Sequence, residues 1–319
     1  MNAMQVTVRS RRTEAEGICS FELVHPEGLA LPAFTAGAHI DVHVAPGVVR
    51  QYSLCNPPGE GGHYRIAVLR EPASRGGSAG MHEQVQAGQA LTISAPRNHF
   101  ELAPAARRSL LLAGGIGITP IWAMAQALHA TGADFALHYC GRAAARMAFV
   151  DEMARAPFGA QVQVHADDGP EAQRFDADRL LAHPEAGTHL YVCGPAGFMN
   201  HVLDTARRHG WPEAQLHREF FAGTATAQAS DGGFGVRLAR SGQTLQVPAD
   251  KSVLEVLVAG GIDVPYSCES GVCGTCLTPV LEGVPDHRDT FLTEAERAAN
   301  DQFTPCCSRA HTPLLVLDL

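Results

Sequence analysis

Cys268-Glu-Ser-Gly-Val-Cys273-Gly-Thr-Cys276 is the stretch of sequence around which the rest of the chain is organised. Its three thiols are spaced C-x4-C-x2-C in a glycine-rich loop, and a fourth, Cys306, follows after 29 intervening residues. Iron–sulfur clusters are held by thiolates, and this spacing is that of plant-type [2Fe–2S] sites. A zinc site usually shows paired C-x2-C units, and unrelated buried cysteines rarely fall in such a pattern. The loop therefore predicts a [2Fe–2S] cluster.

The length and charge limit the classes of protein to consider. At 319 residues the chain can form two or three domains, and its net charge of −9 argues against nucleic acid or an anionic membrane as the main partner. An acidic surface suits a basic protein partner. No apolar run reaches the roughly 18 residues of a membrane span, and the first residues lack the apolar segment of a secretory signal. We therefore expect a cytoplasmic protein.

The cysteines outside the cluster pattern do not indicate a disulfide framework. There are nine in all, an odd number scattered over a large chain, and a reducing compartment would keep them as thiols. Cys19, Cys55 and Cys140 are expected to be small buried hydrophobic residues. For Cys193 a packing role and a ligand-binding role both stay open.

The first part of the chain, residues 1–103, predicts an antiparallel β-barrel. Short β-runs separated by turn residues, with little helix between them, are typical of that fold. The predicted strands are Gln5–Val8, Ser20–Val24, His39–Val44, Arg50–Leu54, Tyr64–Leu69 and Leu91–Ser94.

Two short motifs in this barrel could bind a ligand. In Arg50-Gln-Tyr52-Ser53 the first and third residues share one face of a strand, where Arg can fork onto a phosphate and Tyr can lie against an aromatic ring. Arg75-Gly-Gly-Ser78 is a glycine-rich turn, with a helix beginning near Gly80, whose amides and hydroxyl could hold an anion. Taken alone each motif is weak, because an arginine such as Arg50 is more often a surface strand residue and a turn such as Arg75-Gly-Gly-Ser78 is more often a plain loop.

From Ser109 onward strands alternate with helices, which predicts a second domain with a parallel sheet at residues 104–223. The strand Ser109–Ala113 leads into Gly114-Gly-Ile-Gly117-Ile-Thr119-Pro120 and then a helix over Pro120–Thr131. A glycine-rich turn between strand and helix lets backbone amides face a pyrophosphate. The pattern is not G-x-G-x-x-G, so a Rossmann dehydrogenase is not indicated.

A second turn of ligand-binding size follows a later strand of this sheet. The strand His189–Cys193 ends in Cys193-Gly194-Pro195, and a helix to His209 comes next. Ligands of open parallel sheets bind at the carboxyl ends of the strands. The other expected elements are strands Phe135–Cys140 and Gln161–Ala166, helices Ala148–Arg155 and Ala177–Ala182, and a β-run at His217–Phe221.

The remainder of the chain predicts a linker and a small third domain. Residues 224–234 belong to an Ala/Thr/Ser/Gly-rich stretch with almost no large apolar residue. Residues 235–319 begin with a hairpin, Gly235–Arg240 and Gln243–Val247, and Asp250 could cap a helix over Lys251–Ala259. The cluster loop follows, and a strand at Leu314–Leu317 ends the chain.

Taken together, the motifs resemble one family, the phthalate dioxygenase reductase and vanillate demethylase reductase type of flavin and iron–sulfur reductase. Four motifs occur in the family's order: Arg50-x-Tyr52-Ser53, Gly114-Gly-x-Gly117-x-Thr119-Pro120, Cys193-Gly194-Pro195 and the cluster loop. The resemblance implies an FMN-binding β-barrel, an α/β nicotinamide domain and a C-terminal plant-type ferredoxin domain of the β-grasp fold. Since relatives with an N-terminal ferredoxin domain usually carry FAD, the domain order favours FMN.

The resemblance also implies roles for individual residues. The flavin contacts would be Arg50, Tyr52, Ser53, Gly77 and Ser78, and Phe221 would lie near the flavin ring, where nicotinamide must enter. The nicotinamide cofactor, NADH, would contact Gly114, Gly115, Gly117, Thr119, Pro120, Cys193, Gly194 and Pro195. The cluster ligands would be Cys268, Cys273, Cys276 and Cys306.

Cys307 competes with Cys306 for the fourth position. If the segment is extended, adjacent side chains point to opposite sides, so only one of the two can face the cluster. The resemblance selects Cys306.

The implied function is that of the reductase of a Rieske-type oxygenase in aromatic catabolism. A nicotinamide gives two electrons as hydride and a [2Fe–2S] cluster accepts one, so a flavin must stand between them. The alternatives are the reductase of another multicomponent monooxygenase, the electron-transfer subunit of a flavin dehydrogenase, and a non-enzymatic iron–sulfur redox sensor. A sensor does not require complete flavin and nicotinamide turns.

Overall fold

The computed structural model describes residues 3–72, 74, 76–221, 232–266, 269, 271, 272 and 274–319. By internal contacts the chain divides into two compact units, Met1–Glu219 and Phe220–Leu319. Residues 222–231, which make up most of the predicted linker, lie outside the described ranges, as do Arg75, Cys268 and Cys273.

A six-stranded antiparallel sheet forms the amino-terminal part of the first unit. Its strands and one helix are β1 (Ala3–Ala15), β2 (Ile18–Val24), β3 (His39–Ala45), β4 (Val48–Ser53), β5 (Tyr64–Leu69), α1 (Gly77–Glu83) and β6 (Ala90–Ser94). They pair in the order β4-β3-β6-β1-β2-β5. A bridge between Leu54 and Ile66 joins the two ends of this order, so the sheet closes into the predicted barrel.

The barrel interior follows from the alternation of apolar and polar residues along its strands. Residues at every second position point to the same side, and those facing inward are apolar. The fully buried members are Val6, Val8, Phe21, Leu23, Ile40 and Ile66. Burying a side chain of this size stabilises the fold by about 1.5–3 kcal/mol.

A five-stranded parallel sheet forms the rest of the first unit. Its elements are β7 (Arg108–Gly114), α2 (Ile118–Ala130), β8 (Asp134–Gly141), α3 (Val150–Arg155), β9 (Val162–Ala166), α4 (Ala177–Leu181), β10 (Thr188–Cys193), α5 (Ala196–Arg208) and β11 (Leu216–Glu219). The order is β11-β10-β7-β8-β9, and every pair is parallel. Because β7 and β10 are neighbours, the two glycine-containing turns that follow them lie side by side. The α/β prediction is confirmed.

The burial of three cysteines in this unit agrees only in part with the prediction. Cys19 and Cys55 are buried, with 6% and 0% exposure. Cys140, near the carboxyl end of β8, is partly exposed, so the expectation of a buried residue was wrong there. A strand end at the ligand edge of a sheet is less covered than a strand centre.

The second unit is a small mixed sheet with one helix packed on it. Its elements are β12 (Phe234–Leu238), β13 (Thr244–Val247), α6 (Val253–Ala259), β14 (Thr278–Glu282), β15 (Pro285–Asp286), α7 (Glu294–Ala299), β16 (Gln302–Phe303), β17 (Arg309–Ala310) and β18 (Leu314–Leu317). The main sheet has the order β13-β12-β18-β14-β16, with β12 and β18 parallel. Helix α6 buries Val253, Leu254 and Leu257 in the core of this unit. This is the predicted β-grasp arrangement.

The start of α6 differs from the prediction. Asp250 does not cap the helix; the cap is Ser252, whose Oγ accepts from the amide of Glu255 at 3.1 Å. The Glu255 carboxylate in turn accepts from the Ser252 amide at 2.7 Å, which completes a capping box. The reciprocal pair satisfies two amides, whereas Asp250 would have satisfied one.

Candidate functional site

The two glycine-containing turns at the carboxyl edge of the parallel sheet pack backbone against backbone. A Cβ added to Gly117 would lie 2.3 Å from the carbonyl oxygen of Cys193, and one added to Gly194 would lie 2.9 Å from that of Gly114. No side chain fits at either position, so these residues must be glycine for the turns to meet. The two motifs therefore meet at the carboxyl edge of the sheet.

Within this edge the predicted nicotinamide residues differ in what they face. A Cβ added to Gly115 would meet nothing within 4 Å, so a ligand can approach its backbone. The Thr119 hydroxyl instead donates to the carbonyl of Ile116 at 3.1 Å and is buried, which makes it a stabiliser of the turn. Pro120 lies buried in the first turn of α2, and Pro195 precedes the first residue of α5.

On the barrel, Arg50 and Gly77 come together from separate elements. A Cβ added to Gly77 would lie 2.5 Å from Cγ of Arg50, so the Arg50 side chain crosses the start of α1 because residue 77 has no side chain. Ser78 Oγ accepts a 3.0 Å hydrogen bond from the amide of Glu71 and can still donate its own proton. The predicted phosphate-binding residues are thus neighbours.

Tyr52 provides a test of whether this face of the barrel fits a flavin. Burial raises the pKa of the Tyr52 hydroxyl, so it is a neutral donor. Its oxygen is buried, yet it has no hydrogen-bond partner among the residues that the structure describes. A buried hydroxyl is ordinarily paired, and a flavin phosphate or ribityl oxygen would supply the missing partner. Together with the nearby Arg50 guanidinium, this donor set fits a flavin mononucleotide.

Glu219 is the functional residue that the sequence analysis did not assign. It is the last residue of β11, and its Oε2 accepts a hydrogen bond from Oγ of Ser53 at 3.5 Å. Its other oxygen, Oε1, lies 4.0 Å from Nδ1 of His39, and its side chain is only 15% exposed. Loss of water around the carboxyl raises the pKa of Glu219 to about 8, a shift that the Ser53 hydrogen bond only partly opposes.

The same carboxyl influences Cys193, which ends the neighbouring strand β10. Burial, and then the negative charge of Glu219, raise the pKa of the Cys193 thiol well above its ordinary value. Cys193 is therefore a neutral and fully buried thiol, and its contact with the nicotinamide stays a prediction. Ser53, Cys193 and Glu219 bring barrel and parallel sheet together at a single point.

In the second unit, two of the four predicted cluster ligands lie in the described residues. Cys276 and Cys306 are buried, with 3% and 8% exposure, as soft ligands of a protected cluster should be. The loop is held by a 2.9 Å hydrogen bond from the amide of Thr290 to the carbonyl of Gly271. A Cβ added to Gly274 would collide with the ring of Phe291, so this ring lies over the loop. The buried thiols and the covered loop fit a [2Fe–2S] cluster.

The premise that Cys306 and Cys307 lie on an extended segment was wrong. Both residues lie in a turn, in which the amides of Cys307 and Ser308 donate to the carbonyl of Thr304, and not in an extended segment. The two thiols are close enough that a hydrogen bond with Cys306 lowers the pKa of Cys307. The choice of Cys306 therefore rests on the spacing alone and stays a prediction.

Phe221 stands two residues beyond Glu219, and its side chain is 39% exposed. Its role beside the flavin ring stays a prediction. Among the described residues there is no helix long and apolar enough to span a membrane.

Comparisons with known proteins agree with this organisation. Residues 236–311 match the model of the 2Fe-2S iron-sulfur cluster binding domain, and residues 92–216 match the N-terminal domain of the dimethylamine monooxygenase subunit DmmA-like family. The chain is 57% identical to the vanillate O-demethylase oxidoreductase of Pseudomonas putida, covering 99% of this chain and 100% of that protein.

Two solved structures extend the likeness to three dimensions. One is phthalate dioxygenase reductase, described as a modular structure for electron transfer from pyridine nucleotides to [2Fe-2S], with a TM-score of 0.81, 40% identity and coverage of 100% and 98% of the two chains. The other is an intact type IV self-sufficient cytochrome P450 monooxygenase, with a TM-score of 0.83 and 42% identity over 99% of this chain and 41% of that one. The chain belongs to the family of vanillate O-demethylase oxidoreductases and phthalate dioxygenase reductases, NADH-dependent flavin and iron–sulfur oxidoreductases that serve as reductase components of oxygenase systems.

Proposed function

We propose that this chain is the FMN-containing reductase of a Rieske-type oxygenase that acts on an aromatic methoxy acid of the vanillate class. The observation that carries the proposal is the meeting of Ser53, Cys193 and Glu219 where the barrel and the nucleotide edge join, in a chain that also contains a cluster domain. The assignment of vanillate rests on the 57% identity to the Pseudomonas putida oxidoreductase over nearly the full length of both proteins.

The residues at this junction bind the flavin and the nicotinamide, and they keep the place where hydride arrives free of fixed negative charge. Arg50 and Tyr52 hold the flavin phosphate and ribityl chain, and the backbone at Gly115 receives the nicotinamide pyrophosphate. When bound, the flavin supplies a centre that accepts hydride and passes electrons on one at a time. With Glu219 protonated and Cys193 neutral near pH 7, no fixed negative charge opposes the incoming hydride.

The domain organisation that goes with this function is residues 1–103 for the flavin, 104–223 for the nicotinamide, 224–234 as linker and 235–319 for the cluster. We place the fourth cluster ligand at Cys306 and the ring-covering residue at Phe221. The proposed compartment is the cytoplasm, where NADH and the oxygenase are both available. Residues 92–216 match one family model, which supports a boundary between the flavin and nicotinamide domains near residue 103.

The proposal is tested by reconstitution. The protein, purified with FMN and cluster, is titrated anaerobically with NADH, and both chromophores should be reduced. It is then combined with the oxygenase encoded beside its gene, and turnover is compared for vanillate, other methoxybenzoates, phthalate and quaternary amines. Turnover of phthalate or amines in preference to vanillate would overturn the substrate class while leaving the reductase function in place.

A second function is supported by one specific observation. The likeness to the reductase part of a P450 monooxygenase, with 42% identity, is as close as that to phthalate dioxygenase reductase. Reduction of a P450 with a kcat/KM that matches that for the oxygenase would favour this alternative. A redox sensor, by contrast, should not consume NADH catalytically with ferricyanide as acceptor.

A further inference from the structure

The cluster domain contains a buried carboxyl group that the proposed function does not use. The side chain of Asp289 has no exposure to solvent. Its Oδ2 accepts from the backbone amides of Phe291 at 3.0 Å and Leu292 at 2.7 Å, as the oxygen of an ionised carboxylate does. An ionised side chain is rarely fully buried, because it gives up the water that would solvate it. A role beyond packing is therefore indicated for Asp289.

Asp289 lies against the cluster loop. A Cβ added to Gly271, which stands between Cys268 and Cys273 in the sequence, would lie 2.9 Å from Cα of Asp289. The amide of Thr290 donates to the carbonyl of the same glycine at 2.9 Å, so the two backbone segments touch at two points. The carboxylate is thus fixed beside the loop that supplies three of the four predicted cluster ligands.

The guanidinium of Arg297, on helix α7, is the counter-ion of this carboxylate. Its Nη2 lies 3.8 Å from Oδ2 of Asp289 and donates a 2.5 Å hydrogen bond to the backbone carbonyl of the same residue. The Arg297 side chain is 35% exposed, whereas that of Asp289 has no exposure, so water solvates the cation but not the anion. The two charges therefore do not cancel inside the domain, and the negative one acts there more strongly.

The other charged and titratable groups of this segment leave the field of Asp289 largely unscreened. Asp286 has a partner of its own, since its Oδ2 lies 2.6 Å from Nη2 of Arg288, and its Oδ1 faces Nε2 of His311 at 3.8 Å. His287 Nδ1 lies 3.8 Å from Oδ1 of Asp289, beyond hydrogen-bond range. Both ring nitrogens of His287 and Oδ1 of Asp289 are buried and have no hydrogen-bond partner in the part of the chain that the structure describes.

A cluster that takes up an electron gains a negative charge, which a nearby buried anion opposes and a nearby cation favours. We propose that the charge of Asp289 lowers the reduction potential of the [2Fe–2S] cluster and that Arg297 limits this effect, so that the pair sets the potential at which electrons leave the protein. The inference rests on the proposed function, in which the cluster is the electron exit. A potential that is held low makes the onward transfer to the oxygenase more favourable.

The test measures the potential itself. Full-length holoprotein is titrated anaerobically with dithionite in the presence of redox dyes, and the EPR signal of the reduced cluster is followed. Neither NADH nor the oxygenase takes part, so the result is independent of the proposed function, which fails separately if NADH does not reduce flavin and cluster. Asp289→Asn removes the charge and keeps an oxygen for the two amides. It should shift the equilibrium toward the reduced cluster about tenfold, which is 59 mV for a one-electron couple.

Variants of Arg297 should change the potential in the opposite direction. Arg297→Gln removes the positive charge and should shift the equilibrium toward the oxidised cluster, by only about threefold because the guanidinium is partly solvated. Arg297→Lys keeps the charge and should stay within about twofold of wild type. A disturbance of packing has no reason to follow the sign of the charge removed, so opposite shifts in Asp289→Asn and Arg297→Gln separate an electrostatic role from a merely structural one.

Asp301→Asn is the matched control, because it makes the same acid-to-amide change at an exposed position of the cluster domain and should leave the equilibrium within about twofold of wild type. Iron content per polypeptide shows whether each variant holds its cluster. If Asp289→Asn loses iron, the comparison of Arg297→Gln with Arg297→Lys decides. A wild-type potential in Asp289→Asn with full iron content, shifts of the same sign in Asp289→Asn and Arg297→Gln, or equal potentials in the two Arg297 variants would overturn the proposal.

Discussion

Nη1 of Arg65, on strand β5, donates a 2.8 Å hydrogen bond to Oε2 of Glu152 on helix α3, and this contact joins the barrel to the parallel sheet. Nη2 of the same guanidinium donates to Glu14 at 2.9 Å, and the indole nitrogen of Trp122 donates to Oε1 of Glu152 at 3.0 Å. The guanidinium also lies 4.6 Å from the ring centroid of Phe149. Because Arg65 binds both parts of the unit, it fixes how the flavin and nicotinamide residues meet.

Replacing Arg65 with Met should destabilise the first unit by about 2–3 kcal/mol, because Glu14, whose side chain is 15% exposed, and Glu152, whose side chain is 38% exposed, both lose their counter-ion. The measurement is the free energy of unfolding in urea, followed by flavin fluorescence. Arg9→Met is the matched control, since Arg9 pairs with Glu22 but is 50% exposed. Its loss should be below about 1 kcal/mol. Equal losses in the two variants would contradict the role given to Arg65.

Replacing Glu219 with Gln should change the pH dependence of stability. The folded protein holds the Glu219 proton up to about pH 8, while the unfolded chain releases it near the ordinary value of 4.5. Between these values the folded state binds more protons, so this group destabilises the fold increasingly as pH rises, by at most about 1.4 kcal/mol per pH unit. Glu219→Gln does not titrate, so its stability relative to wild type should rise from pH 5 to pH 8.

Glu213→Gln is the control, because its effect on stability should change with pH in the opposite direction. Hydrogen bonds from Arg207 lower the pKa of Glu213, and Arg218 contributes to the same shift. That carboxylate stabilises the fold above its unfolded pKa, and its contribution is lost as pH falls. Glu213→Gln should therefore be less stable than wild type at neutral pH and equal to it in acid. Parallel pH profiles for the two variants would refute the assignment of Glu219.

Local sequence patterns were sufficient for most of the fold. The strands Tyr64–Leu69 and Leu314–Leu317 have the predicted bounds, because a short run rich in apolar residues marks a buried strand without reference to the rest of the chain. The start of α6 was missed because Ser252 and Glu255 cap it together, and that reciprocal pair outweighs the single side chain of Asp250.

The role of Glu219 could not be predicted from such patterns. It lies 166 residues from Ser53 in the sequence, and the two meet only because β11 is the edge strand of one sheet and β4 is an end strand of the other. No sequence pattern marks a carboxyl that becomes buried among neutral neighbours. The role of Glu219 can therefore be recognised only from the three-dimensional structure.

The choice between Cys306 and Cys307 calls for paired substitutions. Cys306→Ser should abolish or strongly alter the visible and EPR spectra of the cluster, because a hard hydroxyl replaces a soft thiolate ligand. Cys307→Ser should leave those spectra nearly unchanged, although its Sγ lies 3.2 Å from Oγ1 of Thr304 and packs against Gly271. Iron content reported per polypeptide serves as the check on folding. The reverse pair of spectra would show that Cys307 is the ligand.

NADH should be preferred to NADPH, with a ratio of kcat/KM above one. Asp167 and Asp168 are exposed directly after β9, where the adenosine ribose is expected, and they would repel a 2′-phosphate. The amide of Ala144 donates to Asp168 at 3.1 Å, so Asp167 is the better residue to change. Asp167→Asn should lower the ratio roughly three- to tenfold, about 1 kcal/mol. Asp151→Asn, an exposed change on α3, should leave it unaltered.

Removal of the cluster domain should separate the two halves of the reaction. A fragment ending near Gly223 contains the unit Met1–Glu219, which has its own core, and should keep FMN and reduce ferricyanide from NADH. It should fail to support the oxygenase, because the electron-only exit lies in residues 235–319.

With the full-length protein, transfer to the oxygenase should also weaken as salt rises. The exposed acids of the cluster domain include Glu255, Asp263, Glu282, Glu294 and Glu296. Asp289 does not belong to this surface, because its side chain has no exposure and its Oδ2 accepts from two backbone amides. Exposed acids steer a basic partner over about 8 Å at physiological ionic strength, and that attraction is screened by added salt. Ferricyanide reduction by the fragment, measured over the same salt series, separates this effect from any change in the flavin site. Oxygenase turnover by the fragment at the full-length rate would show that electrons leave from the flavin and that the cluster is not the exit.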